Sequence, residues 1–510
     1  MNILVFVLII SFIISLILSF RSLTAKRTPF EIVNDMGIGW NMGNTFDSYN
    51  SNKIIIDPDE QITLWGNIVP TKQLFINLKK CGFKTIRFPI TWIHFINEKG
   101  IINKIWLQRI KEVVDWIINL NMYCILNIHY DSVSPNWLSK GEESKEKFIS
   151  LWKQISEEFK NYDDHLLFES LNDIENYDIY NFTLLYIFNQ EFINVIRNSE
   201  SYNKERLLIL SGANKQMDLT CSPEYKLPID PYNKFAISIH YYIPSIFTVE
   251  HDSNPWTYID NNGETQIVTP MTKWGTSNDY TEMITNFETL KKTYIDKGIP
   301  VIITETGVLT EEKKELESIR QYLNFEFSMS ASYNGIMSCL WDNSNQDAGD
   351  MNYYNRINNT FFDAKIGENF KKISRGRFVK PTDYYILSNV ESIYITNSDG
   401  YLEIKIGTQK VLKIIFNCYI LIDERYNVGF GIASNDKSGN WIGTRISGSI
   451  GKRQYDGSYT FTFDASNKDF NDFVQIQKWW GNDNIVFNYL SIEYDKSHII
   501  LDYNSYREAL

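Results

Sequence analysis

The sequence predicts an α/β protein, a (β/α)8 TIM barrel followed by a smaller all-β sandwich. Three observations carry that reading. From about residue 37 to about residue 378, short β-branched and aromatic runs alternate with longer amphipathic segments, the rhythm of parallel strands joined by helices. Eight such runs occur, which suits a closed barrel better than an open sheet. Beyond about residue 391 the helix-period segments stop, and short strand patterns follow one another with turn residues between several of them.

The strand candidates of the barrel are Gly37–Met42, Lys84–Ile90, Tyr123–His129, Leu166–Asn172, Arg206–Gly212, Phe235–Tyr242, Val301–Gly307 and Gly335–Asn343. Between them, segments such as Trp106–Asn119 and Lys145–Lys160 place apolar residues at i, i+3 and i+4, the stripe a helix needs to lie on a sheet. The longest insertion, Ile243–Ser277, follows the sixth strand and is rich in Pro, Trp, Asn and Gly, as a cleft-shaping loop would be. In the C-terminal part, Leu402–Ile406, Val411–Phe416, Tyr459–Phe463, Phe473–Gln477 and Ile485–Tyr494 read as strands. Ser398-Asp399-Gly400 and Asp456-Gly457-Ser458 supply turns. The domains are therefore residues 28–378 for the barrel and 388–510 for the sandwich, behind an N-terminal address over residues 1–27. The sandwich has two readings: a structural cap, or a sugar-binding module presenting Trp441, Trp479 and Trp480.

Residues Ile3 to Phe20 form one apolar run interrupted only by serines, with Arg21, Lys26 and Arg27 after it. That length lies on the border between a long signal peptide and a membrane anchor. A basic leading region and an evident small-x-small cleavage site are both missing, and the trailing basic residues suit an anchor that keeps the rest of the chain cytosolic. The terminal position still favours export, so the chain is expected to be secreted, or extracellular and anchored through this segment. Two glycosylation sequons, Asn181-Phe182-Thr183 and Asn358-Asn359-Thr360, are compatible with export.

Composition narrows the partners. Hydrophobic residues at 43% and charged residues at 22% allow a large core and exclude global disorder. Lys+Arg 50 against Asp+Glu 62, a net charge of −12, disfavours nucleic acid and anionic membrane as partners. Five widely spaced cysteines, without a CxxC pair or a Cys/His cluster, argue against a disulfide scaffold and a metal site, and leave one isolated bridge open. No phosphate-cradling glycine loop or nucleophilic Ser elbow occurs, so no cofactor is expected. Aromatic residues make up 15% of the chain, which permits stacking on sugar rings although most rings belong to the core.

Active groups in a barrel sit where strands end on the C-terminal face. Here those ends are dense in polar and aromatic side chains: Trp40, Asn41 and Asn44 after the first strand, Arg87 on the second, His129, Tyr130 and Asp131 after the third. Glu169, Asn172 and Asp173 end the fourth, His240 and Tyr242 the sixth, Glu305 the seventh, Trp341 and Asp342 the eighth. Any one alone is more often a satisfied structural group than a catalytic one. His129 and Asp131 as metal ligands are rejected, because positions i and i+2 of a strand end point to opposite faces and no third ligand is apparent.

Over roughly residues 30–375 the chain resembles glycoside hydrolase family 5, the cellulase family of retaining β-glycanases. The segments that carry the resemblance are GWNMGNT at 39–45, IRFPITW at 86–92, NIHYD at 127–131, FESLND at 168–173, HYY at 240–242, ITETG at 303–307 and LWDN at 340–343. The opening segment and Leu64-Trp65-Gly66-Asn67 look most like endoglucanase and xyloglucanase members. The resemblance implies Glu305 as nucleophile, with Arg87 and Tyr242 beside it. Asn172 would bind the sugar 2-hydroxyl, His129 and His240 would line the same subsite, and Trp341 would form its floor. Asp173 would be the acid/base. This matches the chemistry of retention, which needs two carboxyls about 5–5.5 Å apart, one attacking and one protonating the leaving oxygen.

The acid/base position departs from the family, where a Glu followed by Pro comes after the Asn; this chain reads Asn172-Asp173-Ile174. Asp draws the carboxyl back by about 1 Å, a misplacement that costs on the order of 100-fold in rate. General-acid assistance as a whole is worth about 10²–10⁴-fold. Glu175 is a substitute only if the loop is unusual. Two functions are consistent with these residues: a retaining endo-β-1,4-glucanase, slowed by Asp173, or an impaired pseudoenzyme that binds a glycan or cell wall. The expected partner is a β-glucan poly- or oligosaccharide, met by a monomer. Trp65, Trp137, Trp256 and Trp274 are candidate stacking platforms, with core packing as the other reading.

Overall fold

The computed structural model describes residues 27–132, 142–172, 179–250, 256–259, 265–275, 277–310, 314–344 and 351–376, and beyond them 394–395, 401–407, 410–420, 429–436, 438, 440–447, 451–453, 459–480, 485–494 and 498–501. The apolar run up to Phe20, Asp173, Glu175, Trp137 and the two C-terminal turn signals lie outside the described residues, as do the side chains of Trp256, Trp479 and Trp480.

Eight parallel strands close a barrel. They are β1 (Gly39–Asn41), β2 (Thr85–Phe88), β3 (Tyr123–Leu126), β4 (Leu166–Glu169), β5 (Leu208–Ser211), β6 (Phe235–Tyr241), β7 (Val301–Thr306) and β8 (Ile336–Leu340), each within its expected run. Their order around the barrel is β1-β8-β7-β6-β5-β4-β3-β2. Helices alternate with them: α1 (Lys72–Lys80), α2 (Lys104–Ile118), α3 (Glu142–Glu158), α4 (Ile179–Arg197), α5 (Met217–Cys221), α6 (Ser277–Thr293), α7 (Leu316–Ser332) and α8 (Ala364–Ile373).

The strands are buried on both faces, which is why they read as nearly continuous apolar runs rather than alternating ones. Helix α2 illustrates the outer layer. Asn103 caps it by accepting from Ile105 N at 2.9 Å, and its buried stripe of Trp106, Ile110, Val113, Val114 and Ile117 faces the sheet. Inside, Ile125, Leu167, Ile209, Ala236, Ile302, Met337 and Cys339 pack on Ile32, Val33 and Met36 from a helix at Pro29–Met36 that plugs the barrel floor. A capping box starts that helix, with Glu31 N donating to Thr28 Oγ1 at 3.2 Å and Thr28 N donating to Glu31 at 2.7 Å. Gly37, at φ 60° and ψ −135°, ends it in a conformation that side chains avoid.

One strand repeat above this apolar layer the inward positions become polar: Asn41, Arg87, Asn127, Glu169, Ser238 and Thr304. The period of two thus carries the same faces from core to site. The insertion after β6 contains a short helix, Ser245–Thr248, and a hairpin, Trp256–Ile259 with Thr265–Val268. It is stitched to the loop after β7 by Leu309 N to Thr248 O at 2.9 Å, Glu315 N to Thr272 O at 2.9 Å, and the Lys314 ammonium on Phe247 O and Glu250 O.

The C-terminal strands form two antiparallel sheets. One runs Tyr394–Ile395, Ile485–Tyr494, Val411–Ile420, Tyr459–Asp464, Lys452–Arg453, with His498–Leu501 also on Ile485–Tyr494; the other runs Tyr401–Gly407, Phe470–Trp480, Gly429–Asp436, Trp441–Ser447. Phe416 and Phe461 of the first sheet meet Phe430 of the second at 5.0 and 4.9 Å, the ring contacts of a sandwich core. All five expected strands are present. Gly429–Asp436 and Trp441–Ser447 were not anticipated, because Gly, Ala, Ser and Asn at alternate positions leave little apolar period to read. Among the described residues no helix is long and apolar enough to cross a membrane.

Candidate active site

The barrel mouth is organised by Arg87, which is fully buried at the top of β2. Its guanidinium makes five hydrogen bonds: Nε to Glu169 Oε2 at 2.7 Å, Nη1 to Asn41 Oδ1 at 2.9 Å and to Glu305 Oε1 at 2.7 Å, and Nη2 to Asn172 Oδ1 at 2.8 Å and Glu169 Oε1 at 3.3 Å. The planar fork is therefore saturated, each N–H aimed at a side chain from another strand. Burial alone would favour a neutral Arg87, but Glu169 and Glu305 outweigh it and hold the cation.

Glu305, the expected nucleophile, stands near the end of β7 and is 7% exposed. Besides Arg87 it accepts from the Tyr242 hydroxyl, 3.1 Å from Oε2. Burial and then Glu305 itself push the Tyr242 phenol well above its ordinary range, so it stays a donor. His240 Nε2 lies 3.3 Å from Glu305 Oε1 without hydrogen-bond geometry, and it is a buried nitrogen with no hydrogen-bond partner among the described residues. Burial, followed by the nearby cations Lys215 and Arg87, holds its pKa well below the usual histidine value. A neutral imidazole with an unpaired nitrogen in the mouth suits a substrate hydroxyl.

His129 is neutral for the same reasons, burial first and then Arg87. The Asn127 amide lies 3.2 Å from His129 Nδ1 and 3.2 Å from Glu169 Oε2. Since the amide donates, His129 carries its proton on Nε2. The imidazole stacks parallel to Trp341, with ring centres 5.7 Å apart at 5°. Trp341 in turn lies on Gly43, where a β-carbon would come within 2.8 Å of Cζ2, so glycine sets how deep the indole sits. Every expected site residue that is described, namely Arg87, His129, Asn172, His240, Tyr242, Glu305 and Trp341, comes together in this mouth.

Other strand-end residues have structural duties. Asp131 is buried and accepts from Trp92 N at 2.9 Å. Among the described residues the only compact group of potential metal ligands is Asp163, Asp164 and His165, at the opposite end of β4, where Asp164 already pairs with Arg27. Trp65 packs edge-on to Tyr130 at 5.5 Å, and Tyr49 lies 5.8 Å from Tyr130, an aromatic row beside His129. Trp274 is a core residue, 3% exposed among Tyr280, Tyr322 and Phe325, which removes it as a stacking platform.

Two groups of consequence were given no role from sequence: Glu169, noted only as a strand-end residue, and Lys215, not noted at all. Glu169 is fully buried and accepts from Arg87, Asn127, Ser238 Oγ at 2.9 Å and the Lys215 ammonium. Burial opposes its charge, yet Arg87 and Lys215 outweigh burial and lower its pKa to about 2. Its signal was present: in Leu166–Glu169 the inward positions are Leu167 and Glu169, and an inward acid must meet the inward Arg87. Lys215 lies in the loop after β5, where no periodicity marks it.

With that geometry in place, comparison with known proteins is decisive. A profile described as cellulase (glycosyl hydrolase family 5) matches residues 41–347. The chain belongs to glycosyl hydrolase family 5. Endoglucanase A of Clostridium longisporum is 33% identical over 344 residues, covering 63% of this chain and 60% of that protein. The family 5 chain thus spans less than two thirds of that relative's length. Among solved structures, a GH5-4 broad specificity endoglucanase from an uncultured bovine rumen ciliate is 53% identical with a TM-score of 0.66, covering 69% of this chain and 99% of the other. A family 5 xyloglucanase from Paenibacillus pabuli is 29% identical with a TM-score of 0.59, covering 67% and 99%.

Proposed function

We propose that this family 5 protein is a retaining endo-β-1,4-glucanase that hydrolyses β-glucan polysaccharide through a covalent glycosyl-enzyme. One observation carries the reading: Glu305 is held at the barrel mouth by Arg87 and Tyr242, while the same guanidinium fixes Asn172. A carboxylate gripped by a saturated cation is oriented and ionised, as a nucleophile must be. In this scheme Glu305 attacks the anomeric carbon, and Asn172 hydrogen-bonds the neighbouring 2-hydroxyl. His129 and His240 bind hydroxyls of the same sugar above Trp341. Asp173, which directly follows Asn172, protonates the leaving oxygen and then deprotonates the incoming water. The endoglucanase and xyloglucanase names of its relatives support a β-1,4-linked glucan as substrate class.

The apolar N-terminal run supports export to meet such a polymer. Trp441, 54% exposed on the edge strand of the four-stranded sheet, is the feature a sugar-binding role of the sandwich would use. A second reading, a glycan-binding protein with little turnover, is favoured by one fact, the Asp at position 173. Reducing-sugar release from soluble β-glucans decides between them. Release that Glu305→Gln abolishes establishes the hydrolase; silence from a folded protein that still binds glucan establishes the binder.

A further inference from the structure

Lys215 is a lysine with no exposed surface, placed in the barrel mouth by an unusual backbone. Asn214 and Lys215 have φ of 48° and 52°, two consecutive non-glycine residues in the left-handed region. Such residues are disfavoured there and persist where the surroundings demand them. What this turn achieves is the placement of one ammonium group. Lys215 Nζ donates to Glu169 Oε1 and, at 2.6 Å, to Ser238 Oγ. Ser238 Oγ is itself 2.7 Å from Thr304 Oγ1.

The charges explain why an ammonium is needed there. Arg87 pairs with two buried carboxylates at once, Glu169 and Glu305. With Arg87 as the sole cation, the cluster would hold one excess negative charge, and a like charge disfavours ionisation of its neighbour. Lys215 brings the count to two cations and two anions. Among the described residues, the other titratable groups around Glu305 do not alter this. His129 and His240 are held neutral by burial, and burial keeps Tyr242 and the Cys339 thiol protonated. Burial also works against the Lys215 charge, with Glu169 opposing it.

We propose that Lys215 is a positioning residue: it neutralises Glu169 so that the Arg87 charge remains available to Glu305, keeping that carboxylate ionised and oriented. This rests on Glu305 being the nucleophile of the proposed reaction, but its test does not need turnover. In the full chain labelled with carbon-13 at glutamate carboxyls, Glu305 is assigned by its loss in Glu305→Gln and titrated by NMR. Lys215→Met raises the Glu305 pKa by about one pH unit, Glu169→Gln lowers it, and the double variant returns it to near the wild-type value. A merely structural lysine would not produce that reversal.

If Lys215→Met alone does not fold, the step from Glu169→Gln to the double variant measures the same effect in an uncharged pair. A Glu305 pKa that Lys215→Met leaves unchanged, or a double variant no closer to wild type than Lys215→Met, overturns the proposal. Where the protein hydrolyses dinitrophenyl β-cellobioside, the acid limb of kcat/KM moves with the titration, about tenfold lower rate per pH unit below the limb. An intact titration pattern without turnover supports the assignment of Lys215 and counts only against the hydrolase reading.

Discussion

Replacing Arg87 by Lys keeps the charge and removes the fork, so it separates geometry from electrostatics at the centre of the site. The guanidinium makes five hydrogen bonds to Asn41, Glu169, Asn172 and Glu305. An ammonium has three donors on a shorter, rotatable stem, so at least two acceptors lose their partner. Hydrogen bonds to charged groups are worth about 1.5–3 kcal/mol each, which puts the stability loss at about 2–4 kcal/mol after partial compensation. The functional loss is larger, because Asn172 and Glu305 are both released and a misplacement of about 1 Å already costs on the order of 100-fold. Arg87→Lys is expected to lower kcat/KM by about 10²–10³-fold on dinitrophenyl β-cellobioside. That leaving group needs no proton, so the result is independent of Asp173. Urea denaturation gives the stability term. A variant within threefold of wild-type kcat/KM would refute the view that the fork aligns nucleophile and amide.

Two further outcomes are expected from the same structure. In the proposed reaction Asp173→Glu restores the reach of the acid and is expected to raise turnover of soluble β-glucan by about 10–100-fold while leaving kcat/KM for the dinitrophenyl substrate within a few-fold; no gain on glucan would place the defect beyond the acid. Glu326 of α7 is fully buried, accepts from Ser338 Oγ at 2.7 Å, and burial raises its pKa from 4.5 to about 8. A folded-state pKa above the unfolded value means that the stability contributed is complete below pH 4.5 and is lost as pH rises to about 8. At about 1.4 kcal/mol per pH unit this amounts to a few kcal/mol, so Glu326→Gln should flatten the decline in thermal stability between pH 5 and about 8; an unchanged slope would show that Glu326 does not carry it.

The fold was legible because burial on both faces of a parallel strand leaves a short apolar run, and because the helix stripes between runs fixed the alternation that marks those runs as strands. What was hidden lay where that signal fades. Gly429–Asp436 is a central strand with only Phe430 and Ile432 as large apolar residues, too short a pattern to read, and backbone pairing sets it between Phe470–Trp480 and Trp441–Ser447. The site divides in the same way. Arg87, His129, His240, Glu305 and Trp341 stand at or just beyond strand ends, so register alone gathers them at one mouth. Lys215 arrives from a loop by a backbone turn that no spacing announces. Glu169 lies between these cases, visible as an inward acid, with its meaning supplied only by Lys215.

This distribution bears on the acid/base substitution. The half of the site that holds Glu305 draws on β1, β2, β4, β6 and the loop after β5, through Asn41, Arg87, Glu169, Asn172, Tyr242 and Lys215. None of these contacts runs through Asp173. In the proposed reaction a shortened acid slows the step that needs a proton while these contacts still hold the nucleophile, and attack on substrates with good leaving groups is expected to retain its rate.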